Sequence, residues 1–251
     1  MKKIIKVTIV GGLGRMGRII AKKIRNNKKF KLNNIIDEKD KPSAENIKII
    51  KKTDVIIDFS RPNGTMQIIK IANRLKKKIV IGTTGFTKQQ NNLIKNYSKK
   101  IAIFKSGNMS LGINLLEYIV NILSNKIPNN YKIGINDDHH KRKVDYPSGT
   151  ALMLAKAVSN GRNKSLESMK GKIFLNKKGN LLNNKINFFI TRKGNTIGKH
   201  SVIFNNKIEN IELKHTAFSR ELFAEGALDA AIWISKKNKG LFNMQDMFDL
   251  K

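Results

Sequence analysis

The sequence predicts an α/β protein: an N-terminal doubly wound parallel sheet, then a central α+β domain with a mixed sheet. Three observations predict it. Short β-branched apolar runs alternate with amphipathic helical segments over the first 105 or so residues. A glycine-rich turn directly follows the first of those runs. Beyond them the order changes, and helices are followed by a cluster of strand-like runs.

Each element has its own warrant. Residues 7–10 are apolar and β-branched, contain no small-residue cleavage site and run straight into glycines, so they read as a buried first strand and not as a signal peptide. A helical pattern follows, with Ile19, Ile20 and Ile24 on one side and Arg18, Lys22 and Lys23 on the other. Further strands are expected at 32–36, ending at Asp37, and at 55–59, 78–82 and 101–104, with helices at about 64–76 and 88–98. Residues 111–123 form an apolar helix, 131–136 a strand, and 151–158 a strongly helical run. Strand-like runs at 172–175, 185–192, 200–205 and 208–215 come next. A last helix, 221–234, bears Trp233 and leaves a short tail.

Composition narrows the function classes. A chain of 251 residues suits one large domain or two small ones. No stretch approaches the ~20 apolar residues of a membrane span, so no membrane partner is expected. The absence of cysteine excludes disulfides, thiolate nucleophiles and cysteine-based zinc sites. With no export signal, the cytoplasm is the expected compartment. Lysine and arginine outnumber acids 50 to 18, a net charge of +32. A nucleic-acid module would concentrate that charge and interleave aromatics. Here the lysines are spread from Lys2 to Lys251, the densest clusters, 76–78 and 141–143, are short, and Lys, Asn and Ile are abundant together. The pattern reads as A/T-biased compositional drift, and no nucleic-acid partner is expected.

Gly12-Leu13-Gly14-Arg15-Met16-Gly17 matches G-x-G-x-x-G between a strand and a helix, the context that makes it a Rossmann-like dinucleotide fingerprint. Asp37, twenty residues past Gly17, ends the second strand, where a carboxylate accepts the adenosine ribose hydroxyls. Asp37 repels a 2′-phosphate and Glu38 follows it, so NADH is favoured over NADPH, although Lys39 is placed to offset this. Gly82-Thr83-Thr84-Gly85 and Ser106-Gly107-Asn108-Met109 follow the fourth and fifth strands. The first suits either nicotinamide contacts or a turn capping the next helix through Thr87, and the same two readings cover the second.

The segment from Asp138 to Thr150 holds two of the four histidines on what reads as a charged loop. Adjacent histidines rarely converge on one ion, and no metal is expected. Pro147-Ser148-Gly149-Thr150 precedes a helix, and its backbone amides and hydroxyls suit an anion. With His140 and Lys143 upstream, the segment suggests an anionic small substrate beside a proton donor.

The run from His139 to Ala151, HHKRKVDYPSGTA, resembles the signature of 4-hydroxy-tetrahydrodipicolinate reductases. Ordered matches extend along the chain: Gly14-Arg15-Met16-Gly17, Asp58-Phe59-Ser60-Arg61-Pro62, Gly82-Thr83-Thr84-Gly85-Phe86, Asn108-Met109-Ser110-Leu111-Gly112, Ser219-Arg220, Phe223-Ala224 with Gly226-Ala227, and Gly240-Leu241-Phe242. The resemblance implies a dinucleotide-binding domain of residues 1–109 and 219–251, a substrate and oligomerisation domain of 110–218, and a homotetramer. It implies hydride transfer from NADH or NADPH to a cyclic dicarboxylate, with loss of water. His139 matches the proton donor/acceptor and Lys143 a proton donor. His140, Gly149 and Thr150 match substrate-carboxylate positions. Gly11, Gly12, Leu13, Gly14, Arg15, Met16, Asp37, Gly82, Thr83, Thr84, Ser106, Gly107, Asn108 and Met109 match cofactor contacts. The chain departs from the family pattern at Asp137 (often Glu), Arg142 (often His), Glu38 (often Arg) and Met109 (often aromatic).

Two other readings make different demands. A related two-domain NAD(P)-dependent dehydrogenase would share the first domain but lack the His-His, Lys and Pro-Ser-Gly-Thr segment. A non-catalytic nucleotide- or nucleic-acid-binding protein would have lost His139 or Lys143, and both are intact.

Overall fold

The computed structural model describes residues 4–37 and 44–250. In chain order the elements are β1 (Ile5–Val10), α1 (Arg15–Arg25), β2 (Phe30–Ile36), α2 (Ala44–Lys51), β3 (Val55–Asp58), α3 (Pro62–Arg74), β4 (Lys78–Ile81), α4 (Lys88–Ser98) and β5 (Ala102–Lys105). Then come α5 (Leu111–Lys126), β6 (Lys132–His139), α6 (Gly149–Gly161), α7 (Leu166–Met169), β7 (Lys170–Leu175), β8 (Ile186–Arg192), β9 (Gly198–Asn205) and β10 (Asn210–Ala217). The chain finishes with α8 (Glu221–Ser235), β11 (Gly240–Phe242) and α9 (Met244–Phe248). It divides into two compact units, Met1–Ser110 with Arg220–Lys251, and Leu111–Ser219. Among the described residues no helix is long and apolar enough to cross a membrane.

The first unit is a six-stranded sheet in the order β11-β5-β4-β3-β1-β2, with every pairing parallel. Its central strands are continuous apolar runs because helices cover both faces; Val55, Ile56, Ile57, Ile79, Val80 and Ile81 have no exposed surface. The chain builds β2 on one side of β1 and β3 on the other. That reversal places a crevice at the carboxyl ends of β1 and β3, where doubly wound sheets bind ligands. Local chemistry sets the helix starts. Pro62 opens α3. Thr87 and Gln90 form a reciprocal capping box on α4, so the Thr87 cap expected from the sequence is present.

The tail expected after the last helix is structured. Residues 240–242 add β11 to the edge of β5. A three-residue strand is too short to show periodicity, and its stability comes from aromatic packing. Phe242 meets Trp233 edge-on at 5.0 Å between centroids, and the Lys237 ammonium sits 4.3 Å over Trp233.

The second unit is a mixed five-stranded sheet in the order β10-β9-β6-β8-β7, with β6 parallel to β8 and antiparallel to β9. Its core joins Ile133, Ile135, Phe188, Ile190, Val202 and Phe204 to Leu116, Val120, Leu154 and Val158 of α5 and α6. One expectation is corrected here. His139 is the last residue of a strand and does not lie in a loop. The inward alternation of Ile133 and Ile135 continues through Asp137 and His139, all buried, so the strand outlasts its apolar residues.

Candidate active site

At the carboxyl edge of the parallel sheet, the glycine turn is closed by its own backbone. Gly11 has φ +74° and donates to Ile36 O at 2.9 Å, and Gly14 N donates to Gly11 O at 3.1 Å. A Cβ on Gly17 would stand 2.4 Å from Gly12 Cα and 2.5 Å from Gly11 O, so only glycine lets α1 start this close to the turn. Gly14 is the N-cap of α1 and brings no side chain to cap the first amides. Those amides, with the positive end of the helix dipole, form the cradle a pyrophosphate requires. The Asp37 carboxylate reaches the same turn, accepting from Leu13 N at 3.2 Å. The residues therefore fit a dinucleotide on a concrete feature, a turn that α1 approaches so closely that a Cβ at position 17 would collide with Gly11 and Gly12. Glu38 and Lys39, the neighbours that bear on a 2′-phosphate, lie outside the described residues.

The turns after β4 and β5 join this edge. Gly82 N donates to Asp58 O at 2.9 Å, and Ser106 N to Ile81 O at 3.1 Å. Thr84 is exposed, whereas Thr83 is buried with its hydroxyl toward Asp58. Burial pushes the Asp58 carboxyl up, against hydrogen bonds from the Ser60 amide and hydroxyl. Ser106 Oγ donates to Asn108 O at 2.6 Å, and Ser110 N donates to Asn108 Oδ1 at 2.9 Å. Met109 is a core residue, 2 % exposed and packed with Ala224 and Ala227. Its carbonyl lies where a Cβ on Gly226 would be, at 1.7 Å.

In the second unit, strand register assembles a charged cluster. β6 and β9 set Asp137 opposite His200, while β6 and β8 set His139 beside Arg192, all on the helix-covered face. Asp137 has no exposed surface; its Oδ2 is hydrogen-bonded, whereas Oδ1 has two histidine nitrogens close by but no hydrogen bond of good geometry. Oδ1 faces His139 Nδ1 at 2.9 Å and His200 Nε2 at 3.2 Å. Oδ2 accepts from Arg192 Nη2 at 2.9 Å and from the Ser148 amide at 2.8 Å. Burial alone would raise the Asp137 carboxyl, but these donors hold it far below the usual carboxylate range. Burial lowers His139 below the usual histidine value, and Asp137 opposes that shift.

Beside the cluster, Ser148 caps α6. Its Oγ accepts from Ala151 N at 3.2 Å and lies 3.2 Å from His200 Nε2. The hydroxyl expected to serve a ligand is thus turned inward, because a buried N-cap needs it. Gly149 is exposed, with open space where a side chain would be. Lys143 Nζ bridges both Asp145 oxygens at 2.8 Å. His140 N donates to Thr196 O at 2.8 Å, tying its loop to the turn before β9.

Asp137, His139 and His200 bring ligand-type atoms within 4.8 Å of one another. A metal ion does not suit them. The Arg192 guanidinium already occupies Oδ2, and a cation at Oδ1 would face it across one carboxylate.

Comparison with known proteins gives this arrangement a family. Residues 5–109 match the family model described as dihydrodipicolinate reductase, N-terminus, and residues 112–248 match that described as dihydrodipicolinate reductase, C-terminus. The chain belongs to the dihydrodipicolinate reductase family. It is 48 % identical to the 4-hydroxy-tetrahydrodipicolinate reductase of Pelagibacter ubique over 259 aligned positions that cover 100 % of both chains. It is 43 % identical to that of Buchnera aphidicola subsp. Cinara cedri, covering 98 % of each. The fold is that of a dipicolinate-bound dihydrodipicolinate reductase from a Paenisporosarcina species, with TM-score 0.77, 22 % identity and 97 % and 99 % of the two chains covered.

For this dihydrodipicolinate reductase family member, the expected residues separate into two groups. Gly11 to Met16, Asp37, Gly82 to Thr84 and Ser106 to Met109 come together in the first unit, while His139, His140, Lys143, Gly149 and Thr150 gather in the second. Sequence reasoning missed Asp137, Arg192 and His200 as members of the site. The signal was present: Arg192 continues the inward alternation of Ile186, Phe188 and Ile190, and a charge at a core position of a strand needs a buried partner.

Proposed function

We propose that the chain reduces 4-hydroxy-tetrahydrodipicolinate to tetrahydrodipicolinate in the route to diaminopimelate and lysine, with NADH or NADPH as reductant. The observation that carries the reading is a histidine at the end of β6, 2.9 Å from a buried carboxylate whose other oxygen holds the N-cap of α6, the helix that begins with the exposed Gly149. When bound, the reduced nicotinamide supplies the hydride. In balance the substrate gains that hydride and one proton and loses its hydroxyl as water. His139 is the proton donor/acceptor and Lys143 a proton donor, held by Asp145 in the loop after β6. A positioned acid accelerates such a step by roughly 10²–10⁴-fold. His140, Gly149 and Thr150 bind the substrate carboxylates, with the α6 dipole as the attracting field.

Gly11, Gly12, Leu13, Gly14, Arg15 and Met16 hold the pyrophosphate, and Asp37 takes the adenosine ribose. Thr83, buried against Asp58, acts through its backbone, with Gly82, Thr84, Ser106, Gly107, Asn108 and Met109 alongside. NADH is the favoured cofactor because Asp37 opposes a 2′-phosphate. We read the compartment as cytoplasmic and the assembly as a homotetramer, which light scattering tests. The deciding experiment is oxidation of NADH and NADPH at 340 nm, with substrate made in situ by an aldolase that condenses pyruvate with aspartate semialdehyde. Rapid oxidation, slowed by orders of magnitude in His139→Gln and Lys143→Ala, is expected. A folded, NADH-binding wild type that oxidises neither cofactor refutes the reading.

A further inference from the structure

Asp137 is more elaborately bound than an ion pair requires. Arg192 alone would balance its charge, and Arg192 is itself fixed by Nη1 donating to Asp137 O at 2.7 Å and Thr191 O at 2.9 Å, and by Nη2 donating to Asp145 O at 2.9 Å. Yet two of the chain's four histidines converge on the other carboxylate oxygen, their rings edge-to-face at 5.0 Å between centroids. A neutral imidazole carries one N–H, and the group facing each nitrogen decides which one carries it. A carboxylate oxygen 2.9 Å from Nδ1 is an acceptor only, so the proton belongs on Nδ1. Gly198 stands at the opposite edge of the ring, where a Cβ would lie 3.2 Å from His139 Nε2, so no side chain from that position crowds this nitrogen.

We propose that Asp137 is a positioning residue for the reduction. Its Oδ1, 2.9 Å from His139 Nδ1, draws the ring proton to that nitrogen, leaving Nε2 as the one nitrogen that exchanges a proton with substrate, and its Oδ2 fixes the Ser148 amide that begins the carboxylate-binding turn. One carboxylate thereby sets both the proton-transfer atom and the anion site. The groups facing the His139 ring are Asp137 from its own strand, His200 from β9, Arg192 from β8 and Lys143 from the following loop. With Arg192 already charged, a second and third cation against one carboxylate are unfavourable. A proton taken up by His139 is therefore readily given to substrate. The lowered pKa of His139 agrees with this charge count.

The inference rests on the proposed reduction, and its test separates the two. Long-range ¹H–¹⁵N spectra of the uniformly labelled wild-type chain at pH 8, with His139 assigned by its loss in His139→Gln, report the tautomer without any variant at position 137. A protonated Nδ1 and an unprotonated Nε2 are expected; a protonated Nε2 overturns the proposal. In kinetics, Asp137→Asn is expected to lower kcat on the order of 10²–10⁴-fold, as when a catalytic histidine loses its orienting carboxylate. Asp137→Glu, which restores a carboxylate, is expected to recover much of that loss. The double variant Asp137→Asn with His139→Gln should be no slower than His139→Gln alone, because groups acting as a unit are non-additive. Multiplied losses in the double variant mean that Asp137 acts independently of His139 and overturn the proposal. A wild type with the expected tautomer but no oxidation of either cofactor refutes the reductase reading instead.

Discussion

Arg192 stands beside His139 in the β6–β8 register, yet its guanidinium reaches back one pleat to Asp137, 2.9 Å from Oδ2. The pair is almost completely buried. Removing one member of such a pair leaves an uncompensated charge, at a cost of about 3–5 kcal/mol. Arg192→Met should therefore lose stability in that range by urea unfolding, with a midpoint shift and an unchanged slope. Arg192→Lys should lose less, since it keeps the charge but not the fork that also holds three carbonyls. If Arg192→Met unfolds within about 0.5 kcal/mol of wild type, the pair is not a charge-balancing contact.

Two histidines set the acid side of the stability profile. His139 and His215 both have folded pKa values lowered by burial. The unfolded chain then binds protons at higher pH than the native one, so stability is fully present above about pH 6.5 and is lost as pH falls through the folded values. Unfolding free energies measured from pH 5 to 8 should rise with pH and level off near neutrality. His139→Gln with His215→Gln should flatten that rise. An unchanged slope would assign it to carboxylates instead.

Backbone crowding at two glycines gives distinguishable outcomes. Gly17→Ala forces the cradle apart at Gly11 and Gly12, so NADH affinity should fall at least tenfold by fluorescence titration while the second unit is undisturbed. Gly226→Ala drives a methyl into Met109 O, where overpacking typically costs about 1–3 kcal/mol. Its melting temperature should fall even where NADH binding is retained. A Gly17→Ala protein that binds NADH normally would mean that α1 need not approach the turn this closely.

The charge of +32 predicts salt-stabilisation. Dispersed lysines repel one another in the compact state, and the Debye length falls from about 30 Å at 0.01 M to about 10 Å at 0.1 M salt. The melting temperature should climb over that range with sodium chloride. Retention of random-sequence DNA at physiological salt would contradict the drift reading.

What was legible in the sequence was what recurs. The alternation of apolar strands and helices gave the parallel sheet, and Gly12, Gly14 and Gly17 stood in their turn because strand, glycines and helix are contiguous. The mixed second sheet was likewise readable from clustered strands. The Asp137 cluster was not, because its members are 63 residues apart along the chain, from 137 to 200, and meet only through register between three strands. The end of β6 was misplaced for a related reason. Its last inward positions are Asp and His, whose burial depends on Arg192 and His200, and no local pattern announces those partners. β11 was missed because its warrant lies in Trp233 and in the edge of β5.

The return of residues 220–250 to the first sheet has a consequence for synthesis. A ribosome that has made the chain up to residue 219 has completed every strand of the second unit, but has left β5 without its outer neighbour and the β3–β5 face without α8. The second unit can close as soon as it emerges. The nucleotide unit must wait for residues 220–250, with its earliest strands made long before. Loss of residues 220–250 therefore disables the unit that was begun first.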